Sequence, residues 1–224
     1  MWTPLLFAAS RSSNEEAKVL IEAGADVNHA EKDGWTPIFF AAYQNNVELC
    51  NYLLGHSANL LHVAVNGLTS YGAASLNGHT ETAIQLANIA LVEALIVSNG
   101  QRILEIVADG ADPDTCTSTG WTPLIFMVTR HDLEGVSKLI EAGADVNKAE
   151  NDGWTPLMMA AEFGHTEMVK YLLDSGADVF MQTYTGRTAL ACAEAGKFTA
   201  VINLLQKAIS SRMKTIKNPK KSKK

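Results

Sequence analysis

Asp33-Gly34-Trp35-Thr36-Pro37-Ile38-Phe39-Phe40-Ala41-Ala42 and Asp152-Gly153-Trp154-Thr155-Pro156-Leu157-Met158-Met159-Ala160-Ala161 are one phrase written twice, and its reading decides the fold. In the second copy Thr155 is suited to N-cap a helix whose first position is Pro156, where a missing N–H is no loss and φ is already helical. Leu157, Ala160 and Ala161 follow at i, i+3 and i+4, and the small alanines let a neighbouring helix approach closely. Gly164 ends this short helix. A second helix from about Thr166 places Val169, Leu172 and Leu173 on one face, and Gly176 suits the left-handed position after its end. Asp152-Gly153 suits a tight hairpin turn between units. One such unit cannot bury its apolar stripe alone, so the units must stack.

The threonine of this phrase recurs at Thr3, Thr36 and Thr69 and again at Thr122, Thr155 and Thr188, each step being 33 residues. Gly-His-Thr-Glu, a Leu-Leu pair and Gly-Ala-Asp-Val accompany it at constant offsets. With these markers at this period the chain resembles the ankyrin repeat family from residue 1 to about 209. The resemblance implies an all-α, ankyrin-type solenoid of stacked helix-turn-helix repeats with short β-hairpin or turn loops.

Placing Ile89 where a threonine would stand gives seven units, starting at 3, 36, 69, 89, 122, 155 and 188. The third has only 20 residues and lacks the Gly-Ala-Asp turn with its hairpin, and from Thr80 to Ser98 there is neither Gly nor Pro. The spacing of Ile84, Ala87, Leu91 and Leu95 predicts either one continuous helix or a distorted joint, dividing repeats one to three from repeats four to seven. The family's histidine after Thr-Pro-Leu is replaced by Leu6, Phe39, Gly72, Val92, Ile125, Met158 and Ala191, so apolar packing must substitute for its hydrogen bonds. The first repeat has no preceding hairpin and no polar capping helix, which implies a start inside a longer array or an adhesive N-terminal face.

Composition sets the class: 224 residues, 47% hydrophobic and 19% charged, describe a globular chain rather than a collagen, a coiled coil or a disordered polymer. Three cysteines without a C-x-x-C pair support neither a disulfide framework nor a zinc ribbon, and point to a reducing compartment. There is no basic leader and no N-x-S/T acceptor, so cytoplasm or nucleus is expected. Ala83 to Val97, the most apolar window, is too short to span a bilayer and reads as a buried helix. The net charge of −6 divides into −14 before Lys207 and +8 from Lys207 onward, and the Lys-rich segment 210–224 is expected to be a disordered basic tail.

The chain carries no HExxH, P-loop, GxGxxG or G-x-S-x-G pattern, and its histidines form no ligand-spaced pair, so neither enzyme, cofactor nor metal is expected. His79-Thr80-Glu81 and His165-Thr166-Glu167 look like acid/base groups but share one repeat offset, which marks them as structural. Cys50 and Cys192 read as core thiols.

All four tryptophans, Trp2, Trp35, Trp121 and Trp154, stand one residue before a repeat threonine or its equivalent. The resemblance implies that this position faces a concave groove, where helices stacked about 8 to 10 Å apart would set paired indoles in a ladder. The alternative is that Gly-Trp-Thr-Pro is a common spelling of the repeat, with the indole packed along its neighbour's hairpin. The same mapping adds Lys32, Asp33 and Tyr43 in the second repeat and Arg130 in the fifth. It adds Asp152 and Phe163 in the sixth, and Tyr184 and Arg187 in the seventh. A monomer binding one or more proteins there is the leading expectation, aromatic and Arg side chains being the usual hot spots. The alternative is that the basic tail tethers an acidic scaffold to nucleic acid or anionic lipid. Lys220, Lys221, Lys223 and Lys224 resemble a short nuclear-import signal, or belong to a solvated tail.

Overall fold

The structure is a computed structural model, and it describes residues 1–217. Thirteen helices and no strand occur among the described residues. The short first helices of the repeats are α1 (Pro4–Ser10), α3 (Pro37–Tyr43), α5 (Ser70–Leu76), α8 (Pro123–Thr129), α10 (Pro156–Glu162) and α12 (Ala189–Ala195). Their partners are α2 (Asn14–Glu22), α4 (Val47–Gly55), α6 (Thr80–Ile96), α9 (Leu133–Glu141), α11 (Thr166–Asp174) and α13 (Thr199–Lys217), with α7 (Gly100–Ala108) serving the fourth repeat.

The threonine does what the phrase predicts. In extended conformation, Thr3, Thr69, Thr122, Thr155 and Thr188 accept through Oγ1 from the N–H three residues on, at 3.0–3.3 Å. Such a cap stabilises a helix by about 1 kcal/mol. Thr36 is the exception, its buried Oγ1 having no partner. Between the two helices of a pair one residue turns left-handed, at φ 57 to 58° for Ser12, Asn45, Ser98, His131 and Lys197, and at 80° and 70° for Gly78 and Gly164. The alanine pairs Ala8–Ala9, Ala41–Ala42, Ala73–Ala74 and Ala160–Ala161 are buried, as are the substitutes for the family's histidine, Leu6, Phe39, Ile125 and Met158.

The structure divides into two compact units, 1–97 with 105–112, and 98–104 with the chain from 113 onward. In the first, α1, α3 and α5 pack side by side, and in the second α8, α10 and α12 do. The division does not fall between repeats three and four, because α6 is one continuous helix of 17 residues lying wholly in the first unit. No Gly or Pro interrupts it, so nothing local stops the helix from propagating once its buried face is covered. Ala83, Leu86, Ala87, Ala90, Leu91, Ala94 and Leu95 are buried, while Ile84 and Ile89 are exposed.

The fused helix also replaces the loop it lacks. Elsewhere Asn28, Asp114 and Asn147, at the end of the Gly-Ala-Asp turn, accept through Oδ1 from the backbone of the next repeat, at Asn59, Asp145 and Asp178 (2.8, 3.0 and 2.7 Å). In the third repeat that role falls to Asn88 inside α6, whose Oδ1 accepts from Asp112 N at 2.8 Å.

At the other end, disorder from Ser210 is not what the structure shows: α13 continues to Lys217. Arg212 anchors this extension, its Nη2 donating to the Ala177 carbonyl at 2.7 Å and its Nη1 lying 3.6 Å from Asp178 Oδ1. Residues 218–224, with Lys220, Lys221, Lys223 and Lys224, lie outside the described residues.

Candidate functional site

Each tryptophan except Trp2 closes a finger-like turn, and the turn is built from the side chain at its base. Buried Glu31 accepts through Oε1 from Asp33 N at 2.8 Å and Trp35 N at 3.3 Å, and Glu150 from Asp152 N and Trp154 N at 2.9 and 3.0 Å. Thr117 and Thr183 do the same for Trp121 N and Arg187 N through Oγ1, at 3.2 and 3.1 Å. The backbone turn spans four residues, Gly153 N donating to Glu150 O, with Gly153 left-handed at φ 86° and Glu150 N returning to Trp154 O. It is therefore a three-residue hairpin loop with glycine in the bulge, not a two-residue Asp-Gly turn.

Adjacent fingers within a unit are laced by single backbone bonds rather than by strands. Val65 N donates to Asp33 O, Asn151 N to Thr119 O and Tyr184 N to Asp152 O, at 3.0 to 3.2 Å. The approach is so close that a Cβ on Gly34 would stand 2.8 Å from Ala64 Cα.

This lacing orients an aromatic wall on the first unit. Trp2 lies 4.9 Å from Phe7 and 5.1 Å from Phe40 between ring centroids, and Trp35 lies 5.1 Å from Phe40, 5.8 Å from Phe39 and 5.7 Å from Tyr43. Trp2, Phe7 and Tyr43 keep 41%, 50% and 39% exposure. Lys32 and Asp33 are exposed at the tip of the same finger as Trp35. No indole stacks on another here; Phe40 bridges Trp2 and Trp35. Packed helices stand 8–10 Å apart, more than the roughly 4.5–7 Å of a ring contact, so a ladder of indoles alone cannot close.

The second unit treats the same positions differently. The Arg187 guanidinium lies 5.1 Å from the Trp154 ring, and its Nη2 donates to Glu162 Oε2 at 2.9 Å. Arg130 sits 5.3 Å from the Phe126 ring, while Trp121 is half-buried. Exposed Tyr184 is laced to Asp152 of the neighbouring finger. Exposed Phe163 turns to a separate cluster, 5.7 Å from His165, whose ring is 4.2 Å from that of His131. Burial, followed by the neighbouring His131, lowers the His165 pKa.

Helix pairs at a 33-residue period, N-capped by Thr before Pro and joined by laced fingers, are the decisive observation.

The chain belongs to the ankyrin repeat family.

A family model described as ankyrin repeats in three copies matches residues 5–108, 73–183 and 130–215. No curated protein matches the chain. Ankyrin repeats are generally protein–protein interaction modules.

In this ankyrin chain the structure brings together Trp2, Trp35 and Tyr43 on one unit, and Trp154 with Arg187 on the other. Reading the sequence missed Phe7 and Phe40, which complete the wall; both stand four residues after a repeat threonine, and that shared aromatic offset was the available signal. It also missed Glu31 and Glu150, five residues before the threonine. No helix of the described residues is long and apolar enough to cross a membrane, and no group of three or more His, Cys, Asp or Glu among them is placed to hold a metal. Burial pushes the Cys50 thiol up to about 12 and Cys192 to about 11, whereas Cys116 is exposed.

Proposed function

We propose that this ankyrin repeat protein is a non-enzymatic adaptor or inhibitor of the cytoplasm or nucleus, binding protein partners through its first-helix and finger surfaces. The observation that carries this reading is the aromatic wall: Trp2, Phe7 and Tyr43 leave large apolar area in water on one continuous surface, which marks an interaction site on a folded chain. Aromatic side chains on a rigid, hydrogen-bonded support lose little entropy on binding and dominate interface energetics. The test is capture of partners from the source cell by wild type and by a Trp2→Ala, Tyr43→Ala double variant. A loss of about 2 kcal/mol or more in affinity at an unchanged melting temperature is expected. Unchanged affinity with a lowered melting temperature refutes the reading and leaves the rings as packing.

A second reading is favoured by α13, which carries Lys207 and Lys214 exposed near the end of the described chain. It makes the basic C-terminus a tether for nucleic acid or anionic lipid. Truncation after Lys217 separates the two, because it spares the Arg212 anchor. Loss of the partner by this truncation favours the tether; retention favours the wall.

A further inference from the structure

Resting on the reading of the aromatic wall as a binding surface, we infer that its occupant is a cationic, arginine-bearing protein segment. The chain itself shows which group these rings take. In the second unit the guanidinium of Arg187 lies over Trp154 and is held by Glu162, and that of Arg130 lies over Phe126. Arg187 stands one residue before a repeat threonine. In the first unit that offset holds Trp35 beside Trp2, and Leu68 beside Trp35, while the offset of Glu162 holds Ser10 and Tyr43. The first unit therefore keeps the rings and lacks the internal guanidinium. The ring contacts of Trp2, Phe7 and Phe40 are with one another and with Trp35, and among the described residues no cation is seated on them.

Charge selects the same class of ligand. The first unit contains three basic residues, Arg11, Lys18 and Lys32, against twelve acidic ones, a formal −9. Lys18 is already bound between Glu15 and Glu48, at 3.1 and 2.7 Å, which leaves little positive charge to repel a cation. Asp33, exposed on the finger of Trp35, supplies a carboxylate at the rim. The negative faces of the rings attract a cation at short range, and the net charge of the unit draws it in at long range. Arginine is preferred to lysine because its planar, weakly hydrated guanidinium stacks on a ring while its edge still donates to a carboxylate, as Arg187 does here.

The test uses the full chain and four fluorescein-labelled peptides in which leucine alternates with arginine, lysine, citrulline or glutamate, read by anisotropy at about 0.15 M salt, where long-range attraction is screened. The arginine peptide is expected to bind, and the isosteric neutral citrulline peptide to bind about tenfold more weakly. Trp35→Leu, which keeps apolar area but removes the ring, should lose about the same factor. Tyr43→Leu, at an exposed site, repeats the test should Trp35→Leu fail to fold. Equal binding of the citrulline and arginine peptides, still lost in Trp35→Leu, overturns the cationic class and leaves the wall as a neutral groove. Arginine binding indifferent to both Trp35→Leu and Tyr43→Leu overturns the seat and assigns the attraction to general acidity. Failure of all four peptides to bind overturns the inference, while the partner capture described above decides the wall reading separately.

Discussion

Proline stands one residue after the repeat threonine at Pro4, Pro37, Pro123 and Pro156, and the same offset holds Ala90 in the fourth repeat and Ala189 in the seventh. Writing proline at both restores the common spelling of the repeat, yet the structure requires opposite outcomes. Ala189 is the first residue of α12, and Thr188 before it is extended at φ −105° and ψ 165°, the conformation a following proline demands. Ala189→Pro should therefore stabilise by about 0.4–1 kcal/mol, through a less flexible unfolded chain. Ala90 lies inside α6, fully buried, where proline deletes the hydrogen bond to the Leu86 carbonyl and drives its ring into the preceding turn. Ala90→Pro should cost about 3 kcal/mol or more, so the two variants should differ by roughly 4 kcal/mol. Urea denaturation followed by far-UV circular dichroism measures the difference, and hydrogen exchange across Thr80–Ile96 locates it. If Ala90→Pro stays within about 1 kcal/mol of wild type and protection on either side of it is unaltered, α6 is already broken at that point and the continuous-helix argument fails.

Three further outcomes follow from buried groups. A water-soluble disulfide reagent at about pH 8 should label Cys116 alone, because burial keeps the Cys50 and Cys192 thiols protonated; rapid release of a second equivalent contradicts the packing. Glu93 is half-buried, and burial raises its pKa above the ordinary 4.5 against an opposing hydrogen bond from the Leu60 backbone. With the folded value above the unfolded one, its contribution to stability is present below the unfolded pKa and lost as pH rises through the folded one. Glu93→Gln, which keeps an acceptor, should melt higher than wild type near pH 7 and match it near pH 4, and a pH-independent difference rejects this cause. Glu150→Ala strands the Asp152 and Trp154 N–H groups and should cost about 1–3 kcal/mol by thermal denaturation, whereas Glu150→Thr, spelling the turn as Thr117 and Thr183 do, should recover part of it.

What the sequence determined by itself is whatever acts within one turn of backbone. Thr155 and Pro156 start a helix, and Gly164 and Gly176 take left-handed φ; each of these is a local dihedral or hydrogen-bond preference, readable wherever the residues stand, and only their recurrence every 33 residues implies stacking. The run from Thr80 to Ser98 was legible only as far as the lack of a breaker, which left a helix and a joint both open. Tertiary structure chose the helix, because Asn88 reaches Asp112 and the buried face of α6 is covered along its length. It likewise carried α13 past Ser210, where Arg212 finds the Ala177 carbonyl that its charge count could not announce. The wall was half legible: the tryptophan offset showed at once, but the bridging by Phe40 and the seating of Arg187 on Trp154 depend on the distance between successive repeats. That distance is set by packing between helices remote in sequence, and a ring contact that decays within a few ångström is decided by it.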